Sequence, residues 1–281
     1  MADIPADRTP AVERLLALPI WPSTPRVAPC PGGRTNENFR VESGGRAFFA
    51  RVGVDLPHHF VTRANEARSY ALAAAAGVAP PLIHAAEGIL ITEFVAGRTL
   101  RHDQLTDDAA LALVADALRQ VHAAPAPLDL HRFDPVSICR GNLAALPDGA
   151  IEPRRRKRLE VALDRAPRLT ARCLIHADLI PENFIVQGSR AFIVDWEYAG
   201  LGDPAVDLAQ TIVLFDLDPR QASLLLDRHG DADAAKIEAL KPILAAREVL
   251  WCEAQAHHVG IRGDLPEYRT LCWRKFESVA A

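Results

Sequence analysis

Between residues 173 and 197 the chain carries His176-Ala-Asp178, then Asn183 five positions on, and after a short polar break Ile193-Val-Asp195-Trp-Glu197. A loop followed by a hairpin can bring Asp178, Asn183 and Asp195 to one point. There Asn183 and Asp195 offer the hard oxygen ligands that Mg²⁺ takes, and Asp178 offers a carboxylate to a substrate hydroxyl. Moving a phosphoryl group asks mainly for in-line positioning and charge neutralisation, so one base and two magnesium ligands come close to sufficing. By residue frequency, a chance His-x-Asp-x4-Asn falls in roughly one chain of this length in a hundred, before a correctly placed second Asp is required.

Elements on either side must position this kit. Thr9-Pro10 reads as a capped helix start, with a stop near Pro19. From Arg26 to Val54 short apolar runs break at Pro31-Gly-Gly and Ser43-Gly-Gly, which predicts antiparallel strands with tight turns. Helical spacing returns from Phe60 to Ala76 and ends at Gly77, and strands are expected at Leu82 to Ala85 and Ile89 to Phe94. After Gly97 the texture is helical, with helices expected from Thr106-Asp-Asp, over Pro135 to Leu146, over Pro153 to Ala166 and over Ala245 to Val259. The exception is Cys173 to Val194, an island of strands inside a helical region. The fold class expected is α+β, with residues 1–95 as a small antiparallel-sheet lobe and 96–281 as a larger, mainly helical lobe.

The motifs His176-x-Asp178-x4-Asn183, Ile193-Val-Asp195 and Gly202-Asp-Pro-Ala-Val-Asp207-Leu-Ala together resemble the aminoglycoside phosphotransferase and choline kinase superfamily, small-molecule relatives of protein kinases. Pro31-Gly-Gly-Arg-Thr-Asn-Glu-Asn-Phe39 resembles its nucleotide loop and Ala50-Arg51-Val52 its third strand. Asn65-Glu66-Ala67 resembles the start of its small-lobe helix, and Thr92-Glu93-Phe94-Val95-Ala-Gly97 the link between lobes. The resemblance implies a two-lobed protein-kinase-like fold, with ATP and Mg²⁺ as cofactors. It makes Asp178 the catalytic base and Asn183 and Asp195 the magnesium ligands. Gly33, Thr35 and Asn36 would lie over the phosphates, and Arg51 would contact the phosphates and pair with Glu66. The backbone of Glu93, Phe94 and Val95 would hydrogen-bond adenine, and His176 and Asp207 would support the catalytic loop.

Two departures carry information. No lysine precedes Lys157, so Arg51 stands where protein kinases use lysine. Arginine still binds phosphate and carboxylate, and does so bidentately. Asp195-Trp-Glu197-Tyr198-Ala replaces Asp-Phe-Gly, which argues against a protein kinase and is similar to the choline, ethanolamine and thiamine kinase branch. The resemblance therefore implies an ATP-dependent kinase acting on the hydroxyl of a small amino alcohol, choline or ethanolamine first. Thiamine, aminoglycosides and a non-catalytic nucleotide-binding role are the alternatives. A cationic acceptor is held by aromatic faces and acids, for which Glu197, Tyr198 and Trp251 are the candidates, with Glu253 and Trp273 further off. Trp251 as a core residue and Tyr198 as simple packing stay open.

Composition sets outer limits. Lys+Arg number 32 against 36 Asp+Glu, a net charge of -4, so no general field draws nucleic acid or an anionic membrane. An anionic ligand must be held locally. Arg154-Arg-Arg-Lys-Arg158 reads as a solvated helix face, and His58-His59 and His257-His258 lack zinc spacing. The five cysteines are never paired as CxxC and read as reduced thiols. With no signal-like start and no apolar run of membrane-spanning length, the expected compartment is the cytoplasm, as a monomer or homodimer.

Overall fold

Thr9 accepts a hydrogen bond from the Val12 N–H and Pro10 presets the first turn, so α1 forms over Pro10–Leu16. The structure, a computed structural model, describes residues 9–30, 36–102 and 107–280. The predicted break at Pro31-Gly-Gly lies outside the described residues. Strands β1 (Arg26–Pro29), β2 (Glu37–Ser43), β3 (Arg46–Val52), β4 (Leu82–Ala86) and β5 (Ile89–Glu93) form an antiparallel sheet of order β1-β2-β3-β5-β4. Gly44 and Gly45 join β2 to β3 with φ of 57° and 75°, the positive values that a two-residue hairpin turn demands.

Alternation divides the sheet faces. Phe48, Ala50 and Val52 of β3 pack with Val41, Ile89 and Ile91 under Ala11 and Leu15 of α1. Arg51, between them in sequence, therefore faces the other way. On that inner side lies α2 (Arg63–Ala75), capped by Thr62, with Tyr70 and Ala73 packed in one core with Leu90. A single 3-10 turn, Pro57–His59, leads into α2.

The remaining elements are mainly helical: α3 (Asp108–Ala123), α4 (Pro135–Ala145), α5 (Pro153–Asp164), α6 (Pro204–Leu214), α7 (Pro219–His229), α8 (Ala234–His258) and α9 (Leu265–Val279). Every residue of α6 is buried, so it is the axis on which this lobe packs. Two small sheets accompany these helices. β7 (Cys173–Ile175) pairs with β10 (Gly200–Gly202), and β6 (Arg98–Thr99), β8 (Phe184–Gln187) and β9 (Arg190–Ile193) run in the order β6-β8-β9. The first sets β7 against α6, and the second sets β8 and β9 against α3.

One element departs from expectation: α8 begins at Ala234, well before Ala245, and carries Pro242 in its interior. Proline removes one backbone hydrogen bond and normally ends a helix. Here Asp233 caps the start through Lys236 N, and Ile237, Leu240, Ile243 and Leu244 continue one buried face across the proline. The basic run 154–158 lies on α5, mostly exposed. Cys139, Cys173, Cys252 and Cys272 are buried and all five cysteines are free thiols. No helix among the described residues is long and apolar enough to cross a membrane.

Candidate active site

The loop after β7 holds the candidate base by a web of backbone hydrogen bonds. Asp203 caps α6 through Ala205 N and Pro204 fixes its first turn, which places Asp207 one turn in. Asp207 is fully buried, and its carboxylate accepts the N–H groups of His176 and Ala177, both at 2.8 Å. His122 of α3 adds a third contact at 3.0 Å. Burial alone pushes the Asp207 carboxyl upward, but His122 and the loop N–H groups outweigh it and hold the pKa below the ordinary value. Ala177 takes φ of 64°, a left-handed conformation unfavourable for a residue with a Cβ, which Asp207 pins in place.

His176 is also fully buried and its imidazole is used up structurally. Nδ1 accepts the Asp178 N–H at 3.2 Å and Nε2 lies 2.9 Å from the Val194 carbonyl oxygen, with the ring edge-on to Trp196. Burial pushes its pKa down, so it stays neutral. Asp178 projects from this loop with its side chain about a quarter exposed (23%). Burial raises its carboxyl to about 7, against the opposing pull of Arg247.

Asn183 ends the 3-10 turn Pro181–Asn183, and its Nδ2 donates to the Asp178 carbonyl oxygen at 2.8 Å. That bond commits the amide nitrogen and leaves Oδ1 as the free acceptor. The Val194 N–H donates to the Asn183 carbonyl oxygen at 2.9 Å, which brings the end of β9 beside it. Asp195 follows with φ of 68°. Asn183 Oδ1 and the Asp195 carboxylate are a hard-oxygen donor set of the kind Mg²⁺ accepts. Among the described residues no group of three or more His, Cys, Asp or Glu could hold a metal by itself.

Across from this loop, Arg51 on the inner face of β3 pairs with both Glu66 of α2 and Asp195. Arg63 extends the chain of charges, its Nη1 lying 2.7 Å from Glu66 and 3.0 Å from Glu197. Asn36 donates to the same Glu197 oxygen at 3.0 Å. Glu197 therefore ties the loop after β9 to the small sheet and to α2. Gly33 and Thr35 lie outside the described residues. At the link, Glu93 turns its side chain to Arg46 at 2.6 Å, and the Phe94 N–H is taken by Ala47 O at 3.1 Å. The Val95 carbonyl accepts from Gly97 N at 3.1 Å.

On the far side of Asp178 stands a group from α8 and α9. Arg247 is buried, with Nη1 3.3 Å from Asp178 Oδ1 and 3.0 Å from Glu248 Oε1. Its guanidinium lies 4.7 Å over the Tyr198 ring and 5.6 Å from that of Phe133. The Tyr198 hydroxyl accepts from Trp251 Nε1 at 2.9 Å, and Trp251 stacks on His59 with centroids 5.0 Å apart. Tyr268 donates to Glu248 Oε2 at 2.9 Å. Tyr198 and Trp251 thus sit together beside Asp178. Glu253 and Trp273 do not join them: they bond to each other at 3.0 Å in the seam between α8 and α9. Two helical steps separate 251 from 253 by about 200°, so they face opposite ways.

Several residues here escaped sequence reasoning. Arg247 lies four positions before Trp251 and Glu248 three, spacings that share one helix face and were available as a signal. Arg63, three before Glu66, was available in the same way. Tyr268, His59 and His122 reach the site through tertiary packing and carry no local sign.

The family model described as the phosphotransferase enzyme family matches residues 26–243. The chain belongs to that family. This phosphotransferase-family chain is 28% identical over 207 residues to Protein LicA of Haemophilus influenzae, covering 70% of its own length and 61% of that protein. It thus spans about three-fifths of that relative. Among solved structures, a choline/ethanolamine kinase family protein from Mesorhizobium loti is 26% identical with a TM-score of 0.76, over 96% of this chain and 93% of that one. The choline kinase LicA from Streptococcus pneumoniae shares the fold at 19% identity and a TM-score of 0.73, covering 88% and 92% of the two chains. The chain thus has the two-lobed protein-kinase-like α+β fold of these two structures.

Proposed function

We propose that this phosphotransferase-family protein transfers the terminal phosphoryl group of ATP to the hydroxyl of a small amino alcohol, choline or ethanolamine. The observation that carries this is the meeting of Asp178, Asn183 and Asp195 beside Arg51, with the aromatic and acidic side chains Tyr198, Trp251 and Glu248 on the far side of Asp178. The kinship with LicA and with the M. loti choline/ethanolamine kinase family protein supports the choice of acceptor.

Asp178 accepts a hydrogen bond from the acceptor hydroxyl and takes its proton as the oxygen attacks the terminal phosphorus. A new P–O bond forms to the acceptor, the bond to the bridging oxygen breaks, and ADP leaves with that electron pair. A base titrating near neutrality suits this transfer. Asn183 Oδ1 and the Asp195 carboxylate would hold Mg²⁺, which supplies neutralisation of phosphate charge when bound. Arg51, oriented by Glu66, presents its guanidinium to the phosphates. The nucleotide base would lie against the backbone at Glu93 to Val95. Asp207 and His176 hold the loop, and Glu197 holds Arg63 and Asn36.

Replacing Asp178 by Asn tests the assignment. The expected result is a fall in turnover of about 10²- to 10⁴-fold, with nucleotide affinity retained. An ADP-release assay across choline, ethanolamine, thiamine and aminoglycosides identifies the acceptor. An Asp178→Asn variant with an undiminished rate refutes the mechanism.

A further inference from the structure

We propose that this site selects a primary ammonium over a quaternary one, so that ethanolamine and similar primary amino alcohols are its acceptors, with Glu248 as the specificity-determining residue. The inference rests on the acceptor being a small amino alcohol, as proposed above, and narrows it.

The hydroxyl and nitrogen of a β-amino alcohol are two carbons apart, about 3–4 Å. With the hydroxyl on Asp178, the ammonium must come to rest close by. What lies close by is a pair of carboxylates bridged by one cation: Arg247 Nη1 contacts Asp178 Oδ1 at 3.3 Å and Glu248 Oε1 at 3.0 Å. With Asp178 ionised, as it is when it accepts the acceptor hydroxyl, two negative charges against one positive leave a single negative charge, the complement of one ammonium.

The kind of ammonium follows from what is still available. A quaternary ammonium has no N–H, so it is held by open aromatic faces. Here a face of Tyr198 is covered by the Arg247 guanidinium at 4.7 Å, and a face of Trp251 by His59, nearly parallel at 14°. The hydrogen bond from Trp251 Nε1 to the Tyr198 hydroxyl lies in the ring plane and holds the two rings in these positions. The acids differ. Glu248 is buried, and its oxygens already accept from Arg247 and Tyr268, yet each carboxylate oxygen has a second lone pair. A primary ammonium brings three donors that can use those lone pairs. Three methyl groups in their place would bury the carboxylate against groups that cannot bond it.

The test is a methylation series of acceptors: ethanolamine, N-methylethanolamine, N,N-dimethylethanolamine and choline. ADP release by the full chain with ATP and Mg²⁺ gives kcat/KM for each. The expected result is a monotonic fall with methylation, reaching about tenfold or more between ethanolamine and choline. In Glu248→Gln the ratio is expected to shrink to about threefold or less, while nucleotide affinity and the thermal unfolding midpoint report that the variant is folded. A flat series, or one rising toward choline, overturns the selectivity while leaving the amino alcohol kinase intact. No turnover with any of the four, alongside turnover of an aminoglycoside or thiamine, overturns the amino alcohol assignment itself. A wild-type preference that persists unchanged in folded Glu248→Gln removes Glu248 from the role.

Discussion

Replacing Asp207 by Ala strikes the loop that carries the base without touching any group assigned to substrate. The Asp207 carboxylate is fully buried and accepts from His176 N, Ala177 N and His122. Each buried donor left without an acceptor costs about 1–3 kcal/mol. Water entering the space left by the side chain recovers part of that, so the net loss is expected at about 3–5 kcal/mol. In urea this lowers the unfolding midpoint by about 1–2 M. Ala177 loses the contact that holds its left-handed backbone, and Asp178 follows it directly in the chain. A displacement of the base by 1 Å costs roughly 10²-fold in rate. Asp207→Asn, with one carbonyl oxygen and an added donor, is expected to fall between Ala and the parent. The His122→Ala/Asp207→Ala pair is expected to be non-additive by about 1 kcal/mol or more, since the two side chains share a bond. The pH dependence has a fixed sign. Folding lowers the Asp207 pKa, so its stabilisation is present above the ordinary carboxylate pKa of about 3.9 and is lost as pH falls through the lower folded value. The Asp207→Ala penalty should therefore be full at pH 7 and shrink on acidification. An unchanged urea midpoint, or full turnover in Asp207→Ala, refutes the assignment of Asp207 as the brace.

Three further outcomes are expected. Burial holds Asp178 at about 7, so turnover should fall as pH drops below neutrality, and Arg247→Met, which removes the opposing cation, should move that acid limb to higher pH in a pH–rate profile. A carboxyl whose pKa rises on folding favours the fold at low pH and loses that advantage as pH climbs toward 7. Asp178→Asn should therefore gain in unfolding midpoint over the parent between pH 5 and pH 8, even as it loses activity. Gly88 has φ of 77°, and a Cβ there would meet Gly53 O at 2.2 Å. Gly88→Ala should destabilise the β4–β5 turn by at least about 1 kcal/mol in chemical denaturation.

The elements were legible wherever local chemistry decides them. Thr9-Pro10, Asp203-Pro204 and the paired Gly44-Gly45 mark starts and turns with their own side chains or dihedrals, and the helices and strands stand where those marks put them. Helix α8 starts at Ala234 instead of Ala245 and runs through Pro242, a local breaker, because the buried face that carries it past the proline depends on packing against α4, α6 and α9. The same division runs through the site. Asp178, Asn183 and Asp195 share a motif whose spacing encodes their meeting. Glu197 was expected at the acceptor but spends its carboxylate on Arg63 and Asn36, because its neighbours belong to α2 and the loop before β2, far away in the chain. The Arg247 and Glu248 pair was legible only by projecting α8 on a helical wheel from Trp251.

The attachment of α2 to the other lobe has a consequence for regulation. Asn65 Nδ2 and Ser69 Oγ both donate to Ala199 O, at 2.8 and 3.3 Å, while Arg63 reaches Glu197 and Arg51 joins Glu66 to Asp195. In protein kinases the position of the corresponding helix is the lever that turns activity on and off. Here swinging that helix outward would break four anchorages at once, two of them between buried charges. In this structure the helix is already docked against the other lobe, with the Arg51–Glu66 pair made.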